Sequence, residues 1–157
     1  MHARPKRPLV RGSVVARAVE SKPCYAGLLT KPNSSVRVLF VEDDSATREG
    51  YTAHLANCGY DVMAAATGGQ ALTLASTWAP DVIVLDLGLP DIDGWEVARQ
   101  LKAASRTVAI PIIALTGSDL PHERVSAMRA GCDRHLPKPC VPADLVDAIQ
   151  RCIGKAT

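Results

Sequence analysis

The sequence predicts an α/β domain, a doubly wound five-stranded parallel sheet with five helices, and three observations predict it. Apolar runs such as Val82 to Leu85 and Ile110 to Leu115 are rich in β-branching and show no alternation, as strands buried on both faces do. Segments with apolar residues at helical spacing separate these runs, and Gly or Pro punctuates the joins. Alternation of such strands with helices calls for right-handed crossovers and helices on both faces of the sheet.

Order is expected to begin at Val36. Val36, Val38, Leu39, Phe40 and Val41 form the first strand, which ends on Glu42, Asp43 and Asp44. Asp44 or Ser45 caps the next helix, whose apolar line of Thr47, Tyr51, Leu55 and Cys58 stops at Gly59. Tyr60 to Ala64 make a short strand, and Ala71, Leu74, Ala75 and Trp78 mark the buried stripe of a second helix closed by Pro80. The third strand, Val82 to Leu85, ends on Asp86; Leu87 to Asp93 are a loop, and Gly94 to Ser105 are helical through Val97, Ala98 and Leu101. Ile110 to Leu115 give the fourth strand, with Pro111 tolerable only near its start, and deliver Thr116, Gly117 and Ser118 to the same edge. Val125 and Met128 mark a fourth helix ending at Gly131. A brief strand around Arg134 to Leu136 leads to Lys138 and Pro139, and a last helix packs Leu145, Ile149, Cys152 and Ile153.

A chain of 157 residues accommodates one such domain, expected over residues 36–154, with an arm over 1–35 and a tail of 155–157. The arm holds four prolines, and its seven Lys or Arg stand against Glu20 alone; it reads as a disordered, Pro-containing basic arm. It reads as a tether for nucleic acid, a membrane surface or an acidic partner, as a solvated extension or a start assigned too far upstream, or, being Arg-rich and acid-poor, as a transit peptide whose amphipathic helix the prolines would spoil. The remainder carries eleven bases and fifteen acids, so the net +2 is no sign of a basic, nucleic-acid-binding core. No apolar run approaches the roughly 18 residues of a membrane span, and no secretory block opens the chain. The five cysteines include no C-x-x-C pair and read as reduced thiols, mostly in small core or helix-end positions, so the expected location is cytoplasmic. No output domain is expected after the fifth helix.

Parallel strands bring their carboxyl ends to one edge, where ligands of open α/β sheets bind. There topology gathers Glu42, Asp43, Asp86, Thr116 and Lys138. Carboxylates at contact distance repel by roughly 4 kcal/mol per pair at a surface-like dielectric, a cost that a divalent cation reverses. An all-acid donor set without His or Cys suits Mg²⁺, or Mn²⁺. Asp86 is then a candidate nucleophile toward phosphorus, Lys138 a counter-charge, and Thr116 a hydrogen-bonding hydroxyl, with Gly117 leaving room for the donor. Asp44 reads as a cap, Asp91 and Asp93 as loop formers, and Gly94 as a residue demanded by backbone conformation or close packing.

Four segments resemble the receiver domain of two-component response regulators: Val41-Glu42-Asp43-Asp44, Asp86 through Gly94, Leu115-Thr116-Gly117, and Leu136-Pro137-Lys138-Pro139. The resemblance implies a flavodoxin-like strand order 2-1-3-4-5 and phosphorylation of Asp86 by a histidine kinase or phosphotransfer protein. It implies a metal held by Asp43 and Asp86 with help from Glu42 and the Gly88 backbone carbonyl, and a cis bond before Pro139. It also implies a switch in which Thr116 moves with the residue at position 135, usually aromatic and here His135. Gly88 departs from the family, which often carries a bulky or polar side chain there; phosphoryl lifetime is then expected to depend on water access and Ser118. The expectation is a single-domain response regulator, not a turnover enzyme, with no DNA-binding domain and no membrane span, acting on an unknown downstream protein. The alternatives are a phosphohydrolase of haloacid dehalogenase type, disfavoured because Gly88 stands where a second acid is needed, and a binding module independent of phosphorylation.

Overall fold

The computed structural model describes residues 35–117 and 121–154. Most of the basic arm, Ser118 and the tail lie outside the described residues. Ten elements alternate: β1 (Arg37–Val41), α1 (Ser45–Asn57), β2 (Asp61–Ala65), α2 (Gly68–Trp78), β3 (Val82–Asp86), α3 (Gly94–Ala103), β4 (Ile112–Thr116), α4 (Pro121–Arg129), β5 (Arg134–Pro137) and α5 (Pro142–Gly154). All neighbouring strands are parallel, in the order β2-β1-β3-β4-β5. The reversal of order beside β1 opens the crevice in which an α/β sheet holds its ligand.

Alternate residues of the buried strands feed two cores, one on each face. Leu39, Val41, Ile83, Leu85, Ile112 and Ala114 meet Ala71, Ala75, Val97, Ala98 and Leu101 of α2 and α3. Val38, Phe40, Val82, Val84, Ile113 and Leu115 meet Leu55 of α1 and Leu145, Val146 and Ile149 of α5. Complete burial of both faces of β3 and β4 explains why their sequences carry no polar alternation.

Local chemistry sets the helix ends. Asp44 Oδ2 accepts from Thr47 N at 2.8 Å and caps α1, while Gly59 takes the left-handed φ of +91° beyond its end. Asp93 caps α3 through Trp95 N. Thr67 caps α2 through Gln70 N, and Asp91, from the loop after β3, accepts from Gly68 N at 2.8 Å and Gly69 N at 3.0 Å at that same helix start. Asp91 thus does more than shape its own loop.

Several expectations are corrected. The fourth strand begins at Ile112, because Pro111 has no N–H for the ladder, and Ile110 instead closes a turn through Thr107. α3 stops at Ala103, before Ser105, and the second strand runs one residue later than expected. In α4 the expected markers Val125 and Met128 face solvent, Met128 being 73% exposed, and Ala127 is the buried residue. Ile153 is only half-buried, whereas Val146 and Ala148 join Leu145, Ile149 and Cys152 in the buried face of α5.

Candidate functional site

The carboxyl ends of β1, β3, β4 and β5 converge as topology requires. Glu42 and Asp86 are 2% and 5% exposed, Asp43 beside them is exposed, and their carboxylate oxygens lie within 4.8 Å of one another. Lys138 Nζ donates to Glu42 Oε2 at 2.6 Å and pairs with Asp86 Oδ2 at 3.0 Å. The other Asp86 oxygen accepts from Gly88 N at 3.0 Å. A Cβ built on Gly88 would lie 3.7 Å from Asp86 Oδ1, so a side chain at this position would stand against the carboxylate.

Burial pushes the Glu42 carboxyl above its usual range; the hydrogen bond from Lys138 opposes this and the Asp86 charge reinforces it. Burial works against the Lys138 ammonium, yet its hydrogen bonds to Glu42 and Asp86 outweigh that and hold its pKa above 10.5. Lys138 thus pairs with two of the three acids, and among the described residues the cluster remains short of positive charge. A hard divalent cation fits this all-oxygen arrangement, with Asp43 and Asp86 as the first candidates for its ligands and Glu42 beside them.

Thr116, 2% exposed, shares a 2.6 Å hydrogen bond between its Oγ1 and His135 Nε2, and Thr116 O accepts from Lys138 N. The hydroxyl and the histidine thus come from paired strands, with Ala114 opposite His135 and Thr116 opposite Pro137 in the register, and the lysine directly follows β5. The Lys138-Pro139 bond is cis, as the resemblance implied. Gly94 owes its place to packing: a Cβ there would meet Leu87 Cα at 2.5 Å and Asp86 O at 2.8 Å.

Sequence reasoning missed two side chains. Arg48 Nη1 donates to the Glu42 carbonyl at 2.8 Å and to the Asp43 carbonyl at 3.1 Å, bracing the acidic turn from α1. The available signal was a cation in the first turn of a helix, where the dipole disfavours one. Tyr51, read only as an apolar face, also donates its hydroxyl to the Cys140 carbonyl.

Residues 38–150 match the family model of the response regulator receiver domain. The chain belongs to that family. Among curated relatives, Response regulator MprA of Mycolicibacterium vanbaalenii is 39% identical over 122 residues, 78% of this chain and 52% of the relative. The chain thus spans about half the length of the curated relatives it matches. Among solved structures, a CheY-like receiver domain protein from Methanospirillum hungatei JF-1 aligns with a TM-score of 0.73 and 29% identity, covering 78% of this chain and 96% of that one. The receiver domain of sensor histidine kinase PA1611 from Pseudomonas aeruginosa PAO1, solved with magnesium coordinated in its active-site cleft, aligns with a TM-score of 0.72 and 35% identity over 77% and 99% of the two chains. Among the described residues no helix is long and apolar enough to cross a membrane.

Proposed function

We propose that Asp86 is the acceptor of a phosphoryl group delivered by a histidine kinase or phosphotransfer protein. The observation that carries this reading is a buried aspartate at the end of β3, paired with Lys138 at 3.0 Å and clustered with Glu42 and Asp43. An Asp86 carboxylate oxygen forms a bond to phosphorus as the donor's phosphorus–nitrogen bond breaks, the electron pair staying on the imidazole nitrogen. The product is an acyl phosphate. Lys138 offsets charge on the transferred group, and the Thr116 hydroxyl hydrogen-bonds one of its oxygens.

Asp43, Asp86, Glu42 and the Gly88 carbonyl are the proposed holders of Mg²⁺ or Mn²⁺. The cation supplies positive charge that offsets repulsion between the carboxylates and the phosphoryl oxygens. Thr116, on leaving His135 for the phosphoryl group, frees the imidazole to move, which is the proposed switch. Signalling then proceeds through phosphorylation-dependent contacts with a protein in the cytoplasm, and the protein is a phosphoacceptor and not a turnover enzyme.

Incubation with magnesium and acetyl phosphate, followed by intact-mass measurement, tests the reading. The expected result is the gain of one phosphoryl group that Asp86→Asn abolishes. No gain, or a gain that survives the substitution, refutes it. For the switch, the His135 ring resonances are expected to change on adding a phosphoryl analogue, and identical spectra exclude it.

A further inference from the structure

Tyr51 of α1 contacts both β1 and the segment that follows Lys138. Its ring stacks on Phe40 of β1 with centroids 5.4 Å apart and planes inclined by 23°, and its hydroxyl donates to the Cys140 carbonyl oxygen. Phe40 stands two residues before Glu42, and Cys140 stands two residues after Lys138. One side chain therefore spans the two segments whose functional groups meet at Glu42 Oε2 and Lys138 Nζ, 2.6 Å apart.

Lys138 is held on its upstream side by its own N–H, which donates to Thr116 O. On its downstream side Pro139 has no N–H to offer, and α5 begins only at Pro142. Between them, the Cys140 carbonyl is tied to α1 by the tyrosine. Packing alone does not call for a hydroxyl here, since phenylalanine would present the same ring to Phe40. Burial raises the Tyr51 pKa, so the phenol stays protonated and able to donate at neutral pH.

We propose that Tyr51 is a positioning residue for phosphoryl transfer: by fixing the Cys140 carbonyl, its hydroxyl sets the reach of Lys138 Nζ toward Glu42 and Asp86. This rests on the reading of Asp86 as the phosphoacceptor. Tyr51 touches neither the acids nor the transferred group, so its effect has to pass through Lys138. That route separates positioning from a general contribution to folding.

The test is a double-mutant cycle on the full chain, with the rate of phosphoryl gain from acetyl phosphate and magnesium read by intact mass. Tyr51→Phe, which keeps the ring, is expected to slow phosphorylation about fivefold, the rate equivalent of one neutral hydrogen bond. Lys138→Met is expected to slow it further, and adding Tyr51→Phe to Lys138→Met is expected to change nothing more. In the unphosphorylated protein, the Lys138 Nζ resonance is expected to shift in Tyr51→Phe. A wild-type rate in Tyr51→Phe, an equal further loss in the Lys138→Met background, or an unmoved Lys138 resonance overturns the proposal. Failure of the wild-type chain to acquire any phosphoryl group is a different result and overturns the phosphoacceptor reading beneath it.

Discussion

Replacing Asp86 with Asn removes the group on which the proposed chemistry depends, and it is expected to make the metal-free protein more stable. At the 4.8 Å that bounds the cluster, the Asp86 and Glu42 charges repel by about 3.5 kcal/mol at an effective dielectric of ~20. Asp43 is exposed, so solvent screening cuts its share to about 1 kcal/mol. Attraction to Lys138 Nζ at 3.0 Å returns about 5.5 kcal/mol on the same scale. The charge terms thus nearly cancel, within about 1 kcal/mol, while removing a carboxylate from water costs several kcal/mol. Asparagine keeps the shape and an oxygen for Gly88 N but escapes most of that cost, for a net gain of about 2 kcal/mol. Urea unfolding of the chelated proteins at neutral pH, followed by circular dichroism, is expected to show a midpoint raised by roughly 1 M in the variant. Saturating magnesium is expected to stabilise the wild type and narrow the gap. A midpoint in Asp86→Asn equal to or below that of the wild type, without metal, would refute the argument that the cost of taking this carboxylate out of water outweighs its pairing with Lys138.

Four further outcomes follow from the geometry. Gly94→Ala drives a methyl into the backbone of Asp86 and Leu87; calorimetry is expected to show destabilisation of about 3 kcal/mol, and an unchanged unfolding temperature would contradict the close packing. Arg48→Gln withdraws the guanidinium from the carbonyls of Glu42 and Asp43, so magnesium titration by calorimetry should give severalfold weaker binding, and equal affinity would show that the acidic turn needs no brace. Hydrogen bonds from Gly69 N and Gly68 N hold the Asp91 carboxyl below its ordinary 3.8. A depressed folded pKa gives stability that is present above 3.8 and lost as pH falls through the folded value. Asp91→Asn should therefore be less stable than wild type at neutral pH, with the difference closing in acid; a gap that widens on acidification has the wrong sign. Gly88→Asn sets an amide against the acceptor carboxylate, and the decay of phosphorylated protein after donor removal should change rate; an unaltered lifetime would exclude water access at this position as its control.

Much of the fold was legible because both faces of the central strands are buried, which leaves their sequences apolar from end to end. Val82 to Leu85 marked β3, and the acid that followed fell at the sheet edge by topology alone. The same principle misled at Ile110, whose apolar side chain serves the core from a turn, since Pro111 holds the ladder off until Ile112. In α4, valine and methionine carry a strong hydrophobic signal and alanine a weak one, yet Ala127 is the residue that fits beneath the helix. At the site, the acids, Thr116 and Lys138 could be placed because each ends or directly follows a strand. The Tyr51 hydroxyl could not, because its partner is 89 positions away and a tyrosine at helical spacing reads as an apolar face.

The loop after β3 is pinned at two points: Asp91 is hydrogen-bonded to the start of α2, and Gly94 is pressed against the Asp86–Leu87 backbone. Mechanically this makes the two flanks of Asp86 unequal. On the α2–α3 flank a displacement of the carboxylate meets a clamped span that cannot give without breaking hydrogen bonds or backbone packing. On the other flank it meets the Thr116–His135 contact and α4, whose own buried residue is a single alanine. The restraints on the two flanks of Asp86 therefore differ in kind: backbone hydrogen bonds and close backbone packing on one, a side-chain hydrogen bond between Thr116 and His135 on the other.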